Sequence, residues 1–260
     1  MHLPRPIRRL TDPLLEHVPV PILGGVNRGR WWSLASAGAG YATGRCARSQ
    51  MRMLAALIQP GELVWDVGAH HGYVTLCAAE HAGPSGAVHA FEPAARNRML
   101  LLRHLRWNRV RNVTVHPYAL SSFDGSAAFG GASTSRTHAL GRGRETVLVR
   151  TAATLVRSEG LPAPTFVKMD VEGAEADAVH GAIEILPPAA RLLVAVHSRE
   201  TYRDSTALLE RAGFEVAHSA GVLHGRTGVW SGDPDLFAIG PAYADRQRDL
   251  SVLRGCGFFD

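Results

Sequence analysis

The chain has 260 residues, of which 46% are hydrophobic, 20% charged and 7% aromatic, so it has material for one sizeable core plus an appendage. That balance excludes disordered and fibrous classes. The net charge of +5 rests almost wholly on arginine, Lys168 being the only lysine, as a GC-rich coding sequence would produce. The acid-free stretches 17–61 and 93–123 therefore read as solvated faces, and no nucleic-acid partner is expected.

Cys46, Cys77 and Cys256 show no paired spacing, so neither a disulfide framework nor a cysteine zinc site is suggested, and a reducing, cytoplasmic setting fits. No window approaches the ~18 apolar residues of a membrane span, and no signal peptide is recognisable.

Residues 1–45 hold Pro4, Pro6, Pro13, Pro19 and Pro21 and predict a flexible basic arm or small cap, whose Trp31-Trp32 pair and arginines suit a weak membrane-surface contact. One larger domain follows over 46–241, and 242–260 is read as a tail. Helical spacing over 47–58 ends at Pro60-Gly61. Leu63–Val67 reads as a buried strand, 73–81 as a helix, 87–91 as a second strand, 94–107 as a helix and 113–116 as a third strand. The Gly-rich stretch 124–145 breaks the alternation and reads as a mobile lid or substrate loop, flanked by a short hairpin of 127–129 with 147–149. Strands over 165–169, 191–196, 214–217 and 236–239, with helices over 174–186 and 206–212, complete the chain. Such alternation predicts an α/β fold with a mostly parallel sheet covered on both faces.

Four segments carry chemistry. Asp66-Val67-Gly68-Ala69-His70-His71-Gly72 is a strand-ending acid followed by glycines four apart, placed where doubly wound sheets bind ligands. The G-x-G-x-x-G spacing of a dinucleotide turn is absent, and Asp66 suits a ligand with cationic parts; its alternative role is to cap the helix. Glu92 closes the second strand, 20 residues past Gly72, where a carboxylate can accept hydrogen bonds from both ribose hydroxyls. Lys168 to Glu175 (KMDVEGAE) ends the fourth strand with Asp170 at the ligand edge, while Glu172 and Glu175 suit a helix N-terminus. His197 closes the fifth strand, within about 5 to 10 Å of Asp170 if the two strands are neighbours. With an ordinary pKa near ~6.5 it is suited to take a hydroxyl proton. An Asp170–His197 pair would also suit a divalent metal, two ligands being too few to define one.

In this order, Asp66-Val67-Gly68-Ala69, Phe91-Glu92-Pro93, Asn112-Val113, Ala119-Leu120-Ser121, Thr151 with Thr154-Leu155, and Lys168 to Glu175 resemble the FkbM family of methyltransferases over residues 41–241. The resemblance implies a Rossmann-like class I methyltransferase fold with seven strands, the last antiparallel, and S-adenosylmethionine at the first two strand ends. It implies Asp66, Gly68, Ala69 and Gly72 around the methionine part, Glu92 on the ribose, and the Ala119-Leu120 backbone beside adenine. Asp170 would hold polar groups of cofactor or substrate, and His197 would be the base or its orienter. Two departures stand out: His70-His71 replaces Asn-Ile or Asn-Val, and Ala195 stands where an acid often precedes the strand-five histidine. The function implied is O-methyl transfer to a hydroxyl of a small molecule or glycan. The competing readings are a non-catalytic nucleoside-binding module and a nucleotide-dependent oxidoreductase.

Overall fold

A computed structural model describes residues 15–36, 38–130, 139–141, 143–219, 235–256 and 258–259. The arginines of residues 1–14 and the centre of the Gly-rich stretch, 131–138 with 142, lie outside the described residues.

The chain begins with a hairpin of β1 (Pro19–Pro21) and β2 (Trp31–Ser33), then α1 (Gly38–Ala42) and α2 (Arg48–Leu57). The core follows as β3 (Leu63–Val67), α3 (Tyr73–Ala82), β4 (Ala87–Phe91), α4 (Ala95–Trp107) and β5 (Val113–His116). Next come β6 (Tyr118–Leu120), β7 (Gly125–Gly130), β8 (Ala139–Leu140), β9 (Glu145–Arg150) and α5 (Ala152–Arg157). The second half runs through β10 (Phe166–Met169), α6 (Glu175–Ala182), β11 (Arg191–Ala195), α7 (Arg199–Arg211), β12 (Glu215–Ser219), β13 (Asp235–Ile239), α8 (Arg246–Gly255) and β14 (Phe258–Phe259).

The main sheet has the order β14-β12-β13-β11-β10-β3-β4-β5. Strands β11, β10, β3, β4 and β5 are parallel, whereas β13 runs against both β11 and β12. This is the expected seven-stranded, Rossmann-like sheet with its last strand reversed, extended by the two-residue edge strand β14. Every residue of β10 and β11 is buried, with apolar side chains pointing into both layers and the two charged ones, Lys168 and Arg191, held by carboxylates. Leu76, Leu54 and Phe237 belong to the cluster on one face, and Val179, Leu209 and Met169 to the cluster on the other.

Several predicted elements differ in detail. The helix expected over 174–186 is α6 followed by a short 3-10 turn at Ile183–Ile185. The helix expected over 206–212 begins at Arg199, where Ser198 and Thr201 form a reciprocal capping box. The expected hairpin is present but longer: β7 pairs antiparallel with β9 from Gly125 opposite Val149 to Phe129 opposite Glu145, and β7 and β8 lie within the stretch 124–145 that the sequence reads as a loop.

The described part of the N-terminal segment is packed. Trp32 is 1% exposed and stacks on His104 with ring centroids 3.9 Å apart, so only Trp31 of the tryptophan pair reaches solvent. His104 also receives the Ser33 backbone N–H at 3.0 Å, which fixes the hairpin to α4. At the other end, Arg191 is fully buried and contacts Asp249 of α8 and Glu62, both at 2.5 Å. The C-terminal helix is thereby anchored beneath the sheet. Among the described residues, no helix is long and apolar enough to cross a membrane.

Candidate active site

The registers bring the site residues together. Val67 pairs with Phe91 and with Met169, and Met169 pairs with Val194, so the residues that follow lie in one row along the carboxyl edge. That row is Glu92, Gly68, Asp170 and Ala195, with His197 two residues beyond Ala195. It borders a cavity of ≈ 310 Å³, within the range of small-molecule sites. Of the residues singled out from sequence, Gly68, Glu92, Ala119, Leu120, Asp170 and His197 line it.

Asp66, Ala69 and Gly72 stand behind this wall. Asp66 is 2% exposed and accepts a hydrogen bond from Thr75 Oγ1 at 2.5 Å. Burial pushes its carboxyl up to about 6, against the pull of Thr75 and Lys168. Gly72 packs so closely on α4 that a Cβ there would stand 2.2 Å from Leu101 Cδ1. These three residues shape the turn without facing the cavity.

Glu92 ties the turn to the second strand. Its carboxylate accepts from the backbone N–H groups of His70 (2.8 Å) and Ala94 (2.9 Å) and from Asn97 Nδ2 (3.2 Å). Burial nevertheless pushes its pKa up to about 7, outweighing the three bonds. A carboxylate offers about four lone-pair sites, so one remains in this arrangement, where two ribose contacts were expected. His70, at φ 50°, lines the cavity and stacks on His71, whereas His71 is buried between the Ser36 carbonyl and Asn97.

The opposite rim is charged. Strands β10 and β11 are neighbours, and His197 Nε2 lies 3.6 Å from both Asp170 Oδ1 and Glu172 Oε2, while Nδ1 is 2.7 Å from Glu175 Oε1. Burial favours the neutral ring, but the Glu175 bond and the charges of Glu175, Asp170 and Glu172 prevail and push it up to about 9. The ordinary pKa assumed from sequence is therefore corrected: in this state the ring is an imidazolium at neutral pH and accepts no proton. Lys168 is 1% exposed and balances the carboxylates from below, with Nζ 3.5 Å from Asp170 Oδ2.

Sequence reasoning missed five contributors. Glu172 reaches the cavity because its backbone is left-handed at φ 54° and is followed by Gly173 at φ 101°. Glu175, read as a helix-terminal charge, is completely buried against His197. Asp235 enters from β13 and accepts from Gln50 of α2 at 2.9 Å, and Tyr41 of α1 completes that side. An acid opening the last apolar strand was the available signal for Asp235; Gln50 and Tyr41 offered none.

A parallel sheet with its last strand reversed and acids at adjoining strand ends defines a class I, S-adenosylmethionine-dependent methyltransferase. Residues 66–216 match the Methyltransferase FkbM domain, and the chain belongs to that family. It is 30% identical over 169 residues to the hexuronic acid methyltransferase AglP of Haloferax volcanii, covering 62% of this chain and 67% of that protein. Its fold is similar to that of a precorrin-6y C5,15-methyltransferase from Geobacter metallireducens, with a TM-score of 0.50 and 15% identity over 78% of this chain and 93% of the other.

Proposed function

We propose that the protein transfers the methyl group of S-adenosylmethionine to an oxygen of a small molecule or glycan, a sugar hydroxyl being the favoured acceptor. The observation that carries this reading is the cavity with Glu92 and Gly68 on one side and the Asp170–His197 pair on the other. Its donor set fits the cofactor. Ala119, Leu120 and Phe129 offer an apolar wall for a purine, Glu92 keeps a lone pair for a ribose hydroxyl, and the carboxylates favour a cationic ligand. The relative that acts on hexuronic acid supports a sugar acceptor.

When bound, S-adenosylmethionine supplies an already activated sulfonium methyl, so the protein's tasks are alignment and proton removal. The turn at Gly68 fits the first strand end against the Asp170 carbonyl at the cavity wall, and Glu92 fixes the ribose end. On the far rim Asp170 accepts the acceptor's hydroxyl proton, and His197, held by Glu175, orients that carboxylate and the acceptor. Positioning of this kind supplies most of the acceleration, with acid-base help adding about 10² to 10⁴-fold.

The test is incubation of the purified protein with methyl-labelled S-adenosylmethionine and a panel of hexose and hexuronic acid glycosides. Label in an alkali-stable ether, with release of S-adenosylhomocysteine, is expected. Label in an alkali-labile ester would move the acceptor atom from hydroxyl to carboxylate. Cofactor binding without release on any acceptor would favour the non-catalytic module, and no binding at millimolar concentration would remove the reading.

A further inference from the structure

We propose that Asp170, Glu172 and His197 form a binding site for one divalent first-row metal ion, with Glu175 as the residue that orients the histidine. Their ligand atoms, two carboxylate oxygens and Nε2, all lie within 4.8 Å of one another on the rim of the cavity. Two of the three separations are 3.6 Å, a few tenths of an ångström more than ligands about 2.1 Å from a common ion require. Asp170 and Glu172 are partly exposed, so their side chains have room to close the remaining gap.

The histidine is set up for a metal by a separate residue. A carboxylate only accepts, so the 2.7 Å contact from Nδ1 to Glu175 Oε1 keeps a hydrogen on Nδ1, and an ion bound at Nε2, between Asp170 and Glu172, would take the place of the imidazolium's second proton. A carboxylate on the far nitrogen is the usual support of a metal-bound histidine. Glu175 is completely buried, and its second oxygen has no hydrogen-bond partner among the described residues. An acid is costly to bury in this way, and a cation at the rim would compensate it through the imidazole.

Charge points the same way. Asp170, Glu172, Glu175 and Asp235 face this rim, and Lys168 is the one lysine beneath it. One nitrogen and two carboxylate oxygens suit Mn²⁺, or Zn²⁺ and Fe²⁺, better than a soft thiophilic ion. Three protein ligands leave positions open on the cavity side. An acceptor with two adjacent oxygens, such as a vicinal diol or a hydroxy acid, would fill them. Its hydroxyl would then be acidified, so that the Asp170 oxygen not bound to the ion suffices as base. That last role rests on the proposed oxygen transfer; the site itself does not.

The test is a titration of the full chain with Mn²⁺ in the absence of cofactor, read by electron paramagnetic resonance and calorimetry. One saturable ion per chain is expected, lost at least tenfold in Asp170→Asn and His197→Ala and weakened about 10 to 100-fold in Glu175→Gln. Selective Mn²⁺ broadening of the His197 ring signals in the unaltered protein provides a reading that no folding defect can imitate. Absence of saturable binding at millimolar Mn²⁺, or binding unchanged in both Asp170→Asn and His197→Ala, would overturn the site. Bound Mn²⁺ without transfer to any acceptor would instead count against the proposed reaction and leave the site standing.

Discussion

Gly68 lies against the carbonyl of Asp170: a Cβ on Gly68 would stand 1.9 Å from that oxygen. The end of the first core strand and the end of the neighbouring strand are thus fitted backbone to backbone, at φ 83° for the glycine. Gly68→Ala meets both a left-handed backbone and a contact that cannot yield cheaply. We expect a loss of about 2 to 4 kcal/mol in chemical denaturation and no measurable cofactor binding in calorimetry. Retention of wild-type stability would show that the turn opens more readily than this packing implies.

Glu92 should make cofactor affinity depend on pH. Its pKa in the folded protein, about 7, lies above the ordinary 4.5. Below pH 7 the carboxyl is protonated, and a ligand whose hydroxyl donates to the carboxylate must first expel that proton. Affinity should therefore fall by up to about tenfold per pH unit below 7. Glu92→Gln should flatten the profile as well as weaken binding. Folding stability has the opposite sign: the raised pKa favours the folded state at low pH, and that contribution fades as pH rises from 4.5 through 7. Calorimetric affinities and denaturation midpoints across this range check both statements.

Arg191 gives a prediction about stability alone. Asp249→Ala leaves the buried guanidinium with Glu62 as its remaining charge partner and should cost about 3 kcal/mol, read as a lowered denaturation midpoint. The Arg191–Asp249 contact lies away from the cavity, so cofactor affinity per folded molecule should be unchanged. A fall in affinity equal to the fall in stability would mean that the C-terminal helix supports the site directly.

His197→Ala should lower turnover about 10²-fold at saturating substrate, through lost positioning of Asp170 and the acceptor rather than loss of a base. Cofactor affinity should stay within about threefold, because the proposed reaction puts the ring against the acceptor rather than the cofactor. Full turnover in the variant would remove His197 from the reaction.

Much of this site was legible because its residues close short apolar strands, and parallel register then brings strand ends into one row. Gly68, Glu92, Asp170 and His197 follow from that alone. Glu172 did not, since its direction depends on a left-handed backbone at a residue with a side chain, which no periodicity reports. Glu175 does open its helix, but its burial against His197 was not foreseen, nor was that of Trp32: a charge at a helix terminus and an aromatic pair reveal nothing about what packs over them. The full extent of α7 was available in Ser198 and Thr201, whose spacing is a capping signal. Asp66 shows the limit of reading roles from strand ends, because one residue of difference turns a carboxylate from the cavity toward Thr75 and the core.

The family signature spans residues 66–216, yet Tyr41, Gln50 and Asp235 of the cavity wall fall outside it. Relatives that agree at every shared motif can therefore differ in this part of the cavity wall. Exchanging the segments before residue 62 and after residue 234 between two such relatives should transfer the choice of acceptor while the grip on the methyl donor stays constant.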